Sequence, residues 1–420
     1  MLLRLDPDAI DKLGGSLSNG STLISATNGK TTTASMLATI LQSVGRDPVH
    51  NRAGSNMTWG VATALLEQKG DEGLFEVDEA WLPEVAERLM PKTILLANLF
   101  RDQLDRYGET EALADAWATM ATSLAGSASF VLNADDPMVA DIGRYSGPVT
   151  TYFGIDDNSQ AVAELQHARD AKQCRVCGQP LVYERAFVGH LGHYSCPACG
   201  LKRPRPEVSA TAIKLLGMDG LEATVNAGGE SNRLLLPLPG LYNLYNALAA
   251  IATAQTLDIP PAASIAALSK MKAVFGRVER IEIGETQLSI LLVKNPAGAN
   301  EVLRTLELEP GPLNLWLALN DKIADGRDVS WVWDADFELL ADRVASFVCT
   351  GTRAAEMALR LKYAGWPEER LTVVRDIERS LEVAMEGEPG KVFALPTYTA
   401  LLELRTLLAD QSSAGRYWQS

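Results

Sequence analysis

Residues 25–32 read Ser-Ala-Thr-Asn-Gly-Lys-Thr-Thr, between an apolar run and a helix-like run, ASMLATILQSVG. This order predicts a strand, a phosphate-binding loop and a helix, because loop N–H groups and a helix N-terminus together hold phosphate oxygens. Lys30 would neutralise the outer phosphates and Thr31 would ligate magnesium. Ile24 stands where the general P-loop pattern requires glycine, and a plain turn is the alternative. The predicted phosphate-binding residues are Thr27, Asn28, Gly29, Lys30, Thr31 and Thr32.

Outward from this loop, short apolar runs alternate with longer amphipathic runs, which predicts a parallel sheet with crossover helices. The alternation stops at about residue 156, and a segment rich in Cys, Gly, Pro and charge continues to about residue 206. Strand-like runs such as LNLWLAL and KVFAL alternate with helix-like runs again after Gly284. The sequence therefore predicts an α/β protein with a nucleotide-binding domain at 1–284, an insert at about 156–206 and a Rossmann-like domain at 285–420.

Composition restricts the class of protein. The chain has 420 residues, 47% of them hydrophobic and 22% charged, which fits two or three folded domains. The net charge of −15 argues against nucleic acid as a partner. The N-terminal residues lack the apolar core of a signal peptide, and no run reaches the roughly 18 apolar residues of a membrane span, so we expect a cytoplasmic protein.

Four of the five cysteines form the pattern C-x2-C-x18-C-x2-C, which is typical of a zinc ribbon. The predicted zinc ligands are Cys174, Cys177, Cys196 and Cys199. Four thiolates leave no open coordination position, so the zinc would be structural. His190 and His193 lie close enough in sequence to replace one ligand, although two surface histidines are the simpler interpretation.

Several motifs appear in an order that resembles the Mur ligase and folylpolyglutamate synthase superfamily. The string TNGKTT resembles its phosphate loop, EVDEA contains the matching magnesium glutamate Glu76, and NLFRDQLDRYGETE resembles a family segment in which Gln103 replaces histidine. The resemblance implies that ATP activates a carboxylate as an acyl phosphate for attack by an amine, with magnesium bound by Thr31 and Glu76. Other residues matched to nucleotide-binding positions are Asn133, Asn243, Asn246 and Arg277.

Within this superfamily, the four-cysteine insert, the segment KNPAG at 294–298 and the segment LALNDKIADGRDVSWVWD at 317–334 resemble the MurT family. Few residues precede the phosphate loop, so we expect no N-terminal nucleotide-sugar domain. The resemblance implies amidation of the α-carboxylate of D-glutamate in the lipid II stem peptide, at the cytoplasmic membrane face. An independent amino-acid ligase of the folylpolyglutamate synthase type is the alternative, and a nucleotide-gated binding module is a third hypothesis.

The cysteines of the chain indicate whether it could release ammonia from glutamine itself. Glutamine hydrolysis needs an activated cysteine with a histidine base, and outside the predicted ribbon the chain has only Cys349, which lies on a predicted buried strand. The resemblance implies a separate GatD-like glutaminase subunit, whose Cys-His pair would be completed by an aspartate of this chain. Asp325 and Asp328 are the candidates, and the sequence does not separate them.

Overall fold

The computed structural model describes residues 2–51, 55–101, 110–162, 170–271, 278–386 and 390–411. Two α/β units lie in sequence order, with a two-stranded hairpin inserted in the first. The strands of the first unit and its insert are β1 (Ser21–Ser25), β2 (Val49–His50), β3 (Gly73–Glu76), β4 (Thr93–Leu96), β5 (Ser129–Asn133), β6 (Thr150–Ile155), β7 (Val182–Val188), β8 (Leu191–Ser195), β9 (Val208–Leu215), β10 (Leu221–Ala227) and β11 (Glu230–Leu236).

Helices cover both faces of the first sheet. They are α1 (Leu2–Leu5), α2 (Ala9–Gly14), α3 (Lys30–Ser43), α4 (Thr58–Glu67), α5 (Leu82–Leu89), α6 (Thr110–Ser123), α7 (Pro137–Asp141), α8 (Leu241–Thr256) and α9 (Pro261–Leu268). Helix α8 is almost entirely buried, and its many alanines let it pack closely beneath the sheet.

The order of strands places the phosphate loop at the centre of the first sheet. Among the described residues this sheet has nine strands, in the order β11-β10-β9-β6-β5-β4-β1-β3-β2. Strand β1 lies between β3 and β4 and is parallel to both, with the crossovers diverging to either side. This is the switch point at which α/β sheets bind ligands, at the carboxyl ends of the strands.

The insert leaves the sheet intact. Strands β6 and β9 flank it in sequence and pair with each other in parallel, with Phe153 opposite Val208. Beyond β9 the sheet is an antiparallel meander, and β10 alternates buried with half-buried residues because only one of its faces meets the core.

The second unit has its own sheet and core. Its elements are β12 (Val278–Ile283), β13 (Thr286–Leu291), α10 (Pro296–Glu307), β14 (Leu313–Ala318), β15 (Val344–Thr350), α11 (Ala354–Tyr363), β16 (Leu371–Val373), α12 (Ile377–Met385), β17 (Lys391–Pro396) and α13 (Tyr398–Gln411). The strand order is β12-β13-β17-β14-β15-β16, parallel except for the β12–β13 hairpin.

The expected boundary at Gly284 falls inside the second sheet. Gly284 lies in the turn between β12 and β13, with a φ of 61°, and is not in a linker. We therefore propose that the boundary precedes Val278. The prediction of two successive doubly wound units is confirmed by the two sheets. Within the part of the chain that is described, no helix is both long enough and apolar enough to cross a bilayer.

Candidate functional site

The phosphate loop connects β1 to α3 with a tight turn at Gly29. Gly29 has a φ of 87°, and a Cβ at this position would lie 2.2 Å from Oδ1 of Asn246. Both observations require glycine, since a side chain would strain the backbone and collide with a buried amide. The turn aims the N-terminus of α3 at the space above the carboxyl edge of the sheet, where it can attract phosphate.

Lys30 is the first residue of α3, and its amine is buried. Nζ donates to the carbonyl oxygen of Ala26 at 2.5 Å and to Oε2 of Glu79 at 2.7 Å. Burial disfavours the charged amine, but the carboxylates of Glu79, Glu76 and Asp78 outweigh it, so the pKa of Lys30 lies above its ordinary value. Lys30 is therefore a fixed positive charge at the floor of the loop.

Thr31 and Glu76 come together as a pair of oxygen donors. Thr31 Oγ1 donates to Glu76 Oε1 at 3.1 Å, across 45 residues of sequence. Asn51 fixes the backbone of Glu76, because its side chain accepts from the Glu76 N–H at 2.9 Å and donates to the Glu76 carbonyl at 2.7 Å. A hydroxyl and a carboxylate at this separation fit two neighbouring ligands of magnesium, which prefers oxygen.

The predicted asparagines take different positions. Asn246 lies against Gly29 and accepts from Thr33 Oγ1 at 3.2 Å, while its own amide donates to Asn243 Oδ1 at 3.1 Å. Asn243 donates in turn to the Pro239 carbonyl, so it supports Asn246 from behind. Asn133 is buried and donates to the Ala97 carbonyl at 2.9 Å.

Arg277, Gln103 and most of the segment around Gln103 lie outside the described residues. The same segment begins with Asn98, which is described. Its amide exchanges two 2.9 Å hydrogen bonds with the backbone of Asn28, and thereby fixes the far side of the phosphate loop.

A cavity opens in front of the loop, between the two units. It is lined by Asn28, Gly29, Thr32, Asn98, Phe100, Val188, Leu191, Tyr242, Tyr245, Asn246, Leu292, Lys294, Ala297, Gly298, Glu301 and Val302. The walls are mostly apolar and the loop supplies polar groups at one end, which suits a nucleotide with its base in the apolar part.

The second unit contacts the phosphate loop directly through KNPAG. Lys294 Nζ donates to the Thr27 carbonyl at 3.1 Å. Asn295, the N-cap of α10, exchanges hydrogen bonds of 3.2 and 2.9 Å with the side chain of Asn28. Lys294 and Asn295 were not among the residues predicted for the site, although the resemblance of KNPAG to the MurT family had already marked this segment.

The four predicted zinc ligands cluster. Their sulfur atoms lie within 4.8 Å of one another, with Cys174 to Cys199 at 3.6 Å and Cys177 to Cys196 at 3.5 Å. A tetrahedral site with zinc–sulfur bonds of about 2.3 Å needs separations of about 3.8 Å, so the cluster is compatible with zinc. The two nearby histidines have other neighbours. Nε2 of His193 lies 2.8 Å from the Ile155 carbonyl oxygen, and Nε2 of the buried His190 lies 3.2 Å from Asp136 Oδ2.

The insert is anchored to the nucleotide-binding unit by the segment Asn-Ala-Asp-Asp-Pro at 133–137, which follows β5. Asp135 accepts from Arg203 Nε at 2.5 Å and from the Tyr245 hydroxyl at 2.6 Å. The Arg203 guanidinium is therefore held by a buried carboxylate. This anchoring places Val188 and Leu191, at the tip of the β7–β8 hairpin, in the wall of the cavity, a position that no sequence pattern predicted.

The structure distinguishes Asp325 from Asp328. Asp325 is buried and accepts from the Thr399 N–H at 2.7 Å and from its hydroxyl at 2.5 Å. Burial raises the pKa of Asp325, partly offset by the Thr399 hydrogen bonds. Asp328 is exposed and accepts from the Ser330 N–H at 2.8 Å, and the Ser330 hydrogen bonds hold its pKa below the ordinary value. Of the two carboxylates, only Asp328 is exposed to solvent.

The chain matches two protein families and is similar to several known proteins. Residues 24–194 match the Mur ligase middle domain and residues 292–401 match the MurT ligase C-terminal family. The chain is 34% identical, over 97% of its length and 91% of the relative, to the lipid II isoglutaminyl synthase (glutamine-hydrolyzing) subunit MurT of Streptococcus pneumoniae. The subunit of the same name from Staphylococcus aureus strain N315 is 31% identical, over 98% of this chain and 92% of that protein.

Solved structures share the fold. A pseudomurein peptide ligase type C from Methanothermus fervidus superposes with a TM-score of 0.74 at 24% identity, covering 96% of this chain and 81% of that one. The MurF ligase of Thermotoga maritima in complex with ADP gives a TM-score of 0.68 at 16% identity, covering 97% and 85%. At these identities the likeness concerns the fold alone.

Proposed function

The chain belongs to the MurT family of Mur ligases, and from that premise we propose that it amidates the α-carboxylate of D-glutamate in the lipid II stem peptide, forming D-isoglutamine. ATP would first phosphorylate the carboxylate, and ammonia would then displace phosphate from the acyl phosphate. The observation that carries this proposal is the phosphate loop with buried Lys30 and the Thr31–Glu76 pair, closed by Lys294 of the second unit.

The charges at the loop suit phosphoryl transfer to a carboxylate. The transfer brings two anions together, and Lys30 and Lys294 supply positive charge on two sides of the loop. Mur ligases use ATP and magnesium. We propose that Thr31 and Glu76 hold the magnesium ion, which would offset charge on the phosphate oxygens. Asn246 and Asn98 keep the loop in shape from either side.

We propose that the nucleotide binds in the cavity between the units. Asn28, Gly29 and Thr32 line its polar end, next to Lys30 and Thr31. Arg277 stays a prediction, because it lies outside the described residues. Asn133 and Asn243 support neighbouring backbone and side chains, so we propose structural roles for both.

We propose that the cysteine cluster binds one zinc ion, and that the zinc indirectly holds one wall of the nucleotide cavity. Replacing Cys196 with serine is expected to remove the zinc and lower the melting temperature, because metal binding contributes free energy of folding. The measurement is zinc per chain by elemental mass spectrometry, with a thermal melt. Cys349→Ser is the matched control, since it perturbs a buried cysteine of the second unit and should leave the zinc content unchanged. Full zinc content in the Cys196→Ser protein would contradict the proposal.

A separate glutaminase would supply the ammonia. All five cysteines are accounted for, and burial raises the pKa of Cys349 to about 12, so its thiol is neither ionised nor accessible. We propose that a GatD-like partner docks on the second unit around Asp328. Exposed apolar side chains lie close to Asp328 in the sequence: Ile323 is 76% exposed, and the half-exposed Trp333 has its ring 5.7 Å from that of Tyr363. Exposed aromatic residues of this kind are typical anchors of protein interfaces.

Replacing Asp328 with asparagine in the complex is expected to lower glutamine-dependent amidation at least about tenfold, because a Cys-His pair needs a carboxylate to orient the histidine. Amidation with ammonium chloride should stay within about twofold of the wild type. Asp342→Asn, an exposed change in the same unit, is the control for both assays. Asp325→Asn should instead lower the melting temperature and both activities together. Equal losses with both nitrogen sources in Asp328→Asn would refute the role of Asp328.

The reaction itself is tested by mass spectrometry of lipid II incubated with ATP, magnesium and the protein. Conversion of acid to amide with ammonium alone, and with glutamine only when a glutaminase partner is present, is the expected result. Addition of a whole amino acid from a supplied mixture would support the independent-ligase alternative and refute the amidation proposal.

A further inference from the structure

Arg101 belongs to the nucleotide-binding unit and contacts both the cysteine insert and the second unit. Its backbone N–H donates to Asp170 Oδ2 at 2.8 Å, at the base of the cysteine insert. Its guanidinium Nη2 donates to Asp334 Oδ2 of the second unit at 2.5 Å. The residue itself follows β4 in the nucleotide-binding unit, and 39% of its side chain is exposed.

On one side, Arg101 is tied to the phosphate loop by the residues just before it. The Phe100 N–H donates to Thr27 Oγ1 at 3.0 Å, and Thr27 Oγ1 donates to the Phe100 carbonyl at 3.2 Å. Asn98 makes two further hydrogen bonds to Asn28, as described above. The position of Arg101 therefore depends on the position of the phosphate loop.

On the other side, Arg101 reaches the segment proposed to face the glutaminase. Asp334 is the last residue of the short 3-10 helix Ser330–Asp334, and Asp328 caps the N–H of the first residue of that helix. The Arg101 charge also contributes to the low pKa of Asp328, after the Ser330 hydrogen bonds. Trp333 of the same helix is half exposed on the proposed docking surface.

We propose that Arg101 is a positioning residue that couples the ATP site to the partner's glutaminase site, by holding the 328–334 segment only when the second unit is closed on the phosphate loop. This inference rests on the proposed function. When the second unit is closed, Lys294 and Asn295 hydrogen-bond to the phosphate loop. In the same state Arg101 of the first unit hydrogen-bonds to Asp334, at the end of the segment that begins with Asp328. A half-exposed ion pair adds little to stability, so it is readily broken when the units separate.

The test uses the complex of this chain with its glutaminase and measures glutamine hydrolysis with and without ATP and lipid II. The wild-type complex should hydrolyse glutamine faster when both are present. Arg101→Gln is expected to reduce that stimulation at least about fivefold, the lower end of typical coupling between sites. Its ammonium-dependent amidation and its melting temperature should stay close to the wild type, and Arg101→Lys should restore part of the stimulation.

The matched control is Arg379→Gln, which breaks an exposed ion pair with Glu382 on α12 of the second unit. Unchanged stimulation in Arg101→Gln, with the complex intact by gel filtration, would overturn the proposal. Loss of ammonium-dependent amidation to the same extent would also overturn it, by placing Arg101 in the synthetase site. Failure of the wild-type complex to amidate lipid II with either nitrogen source would refute the proposed function instead, so the two failures are distinguishable.

Discussion

Replacing Lys30 with alanine is expected to lower amidation about 10³-fold or more with both ammonium and glutamine. The loss should be this large because Lys30 is the buried positive charge at the loop, and charges that stabilise a transferring phosphoryl group commonly have effects of this size. The measurement is ATP hydrolysis together with amide formation at saturating ATP. Lys12→Ala removes an exposed lysine paired with Asp6 and should leave both rates unchanged.

Lys30→Ala is also expected to lower the free energy of unfolding. Lys30→Ala leaves Glu79 buried without its partner, and breaking a buried pair in this way costs about 3–5 kcal/mol. The double change Lys30→Met with Glu79→Gln replaces the pair with neutral side chains of similar size and should recover the melting temperature but not the activity. Substantial amidation in this folded double variant would refute the assignment of Lys30.

Replacing Glu76 with glutamine is expected to raise the magnesium concentration needed for half-maximal activity at least about tenfold and to reduce the maximal rate. Glutamine removes the negative charge that favours a divalent cation, but its oxygen can still accept from Thr31. The backbone hydrogen bonds from Asn51 are unaffected, so the fold should persist.

The measurement for Glu76 is a magnesium titration of amidation at fixed ATP, with a thermal melt of each variant. Glu72→Gln is a suitable control, since Glu72 is a buried carboxylate immediately before β3 and is paired with Arg46. It should lower stability without changing the magnesium requirement. An unchanged magnesium requirement in Glu76→Gln would argue against Glu76 as a ligand.

Several features of the fold could be predicted from local patterns in the sequence. The α/β class, the Mur ligase-type fold and the four-cysteine insert were predicted and are confirmed by the two sheets, the relatives and the clustered thiols. Each of these leaves a local pattern: apolar periodicity, a loop between strand and helix, or paired cysteines. The boundary at Gly284 illustrates the limit, because a glycine in a hairpin turn resembles one in a linker.

The phosphate loop and the thiol cluster could be predicted from the sequence alone, since their residues are contiguous or regularly spaced and their chemistry restricts which residue types can serve. The folded structure was needed to show that Lys294 and Asn295 reach the loop from 267 residues away, and that the tip of the insert lines the cavity. It also separated Asp325 from Asp328, because Thr399, 74 residues beyond Asp325, occupies that carboxylate. Such contacts depend on how the two sheets dock, and no local pattern records the docking of distant segments.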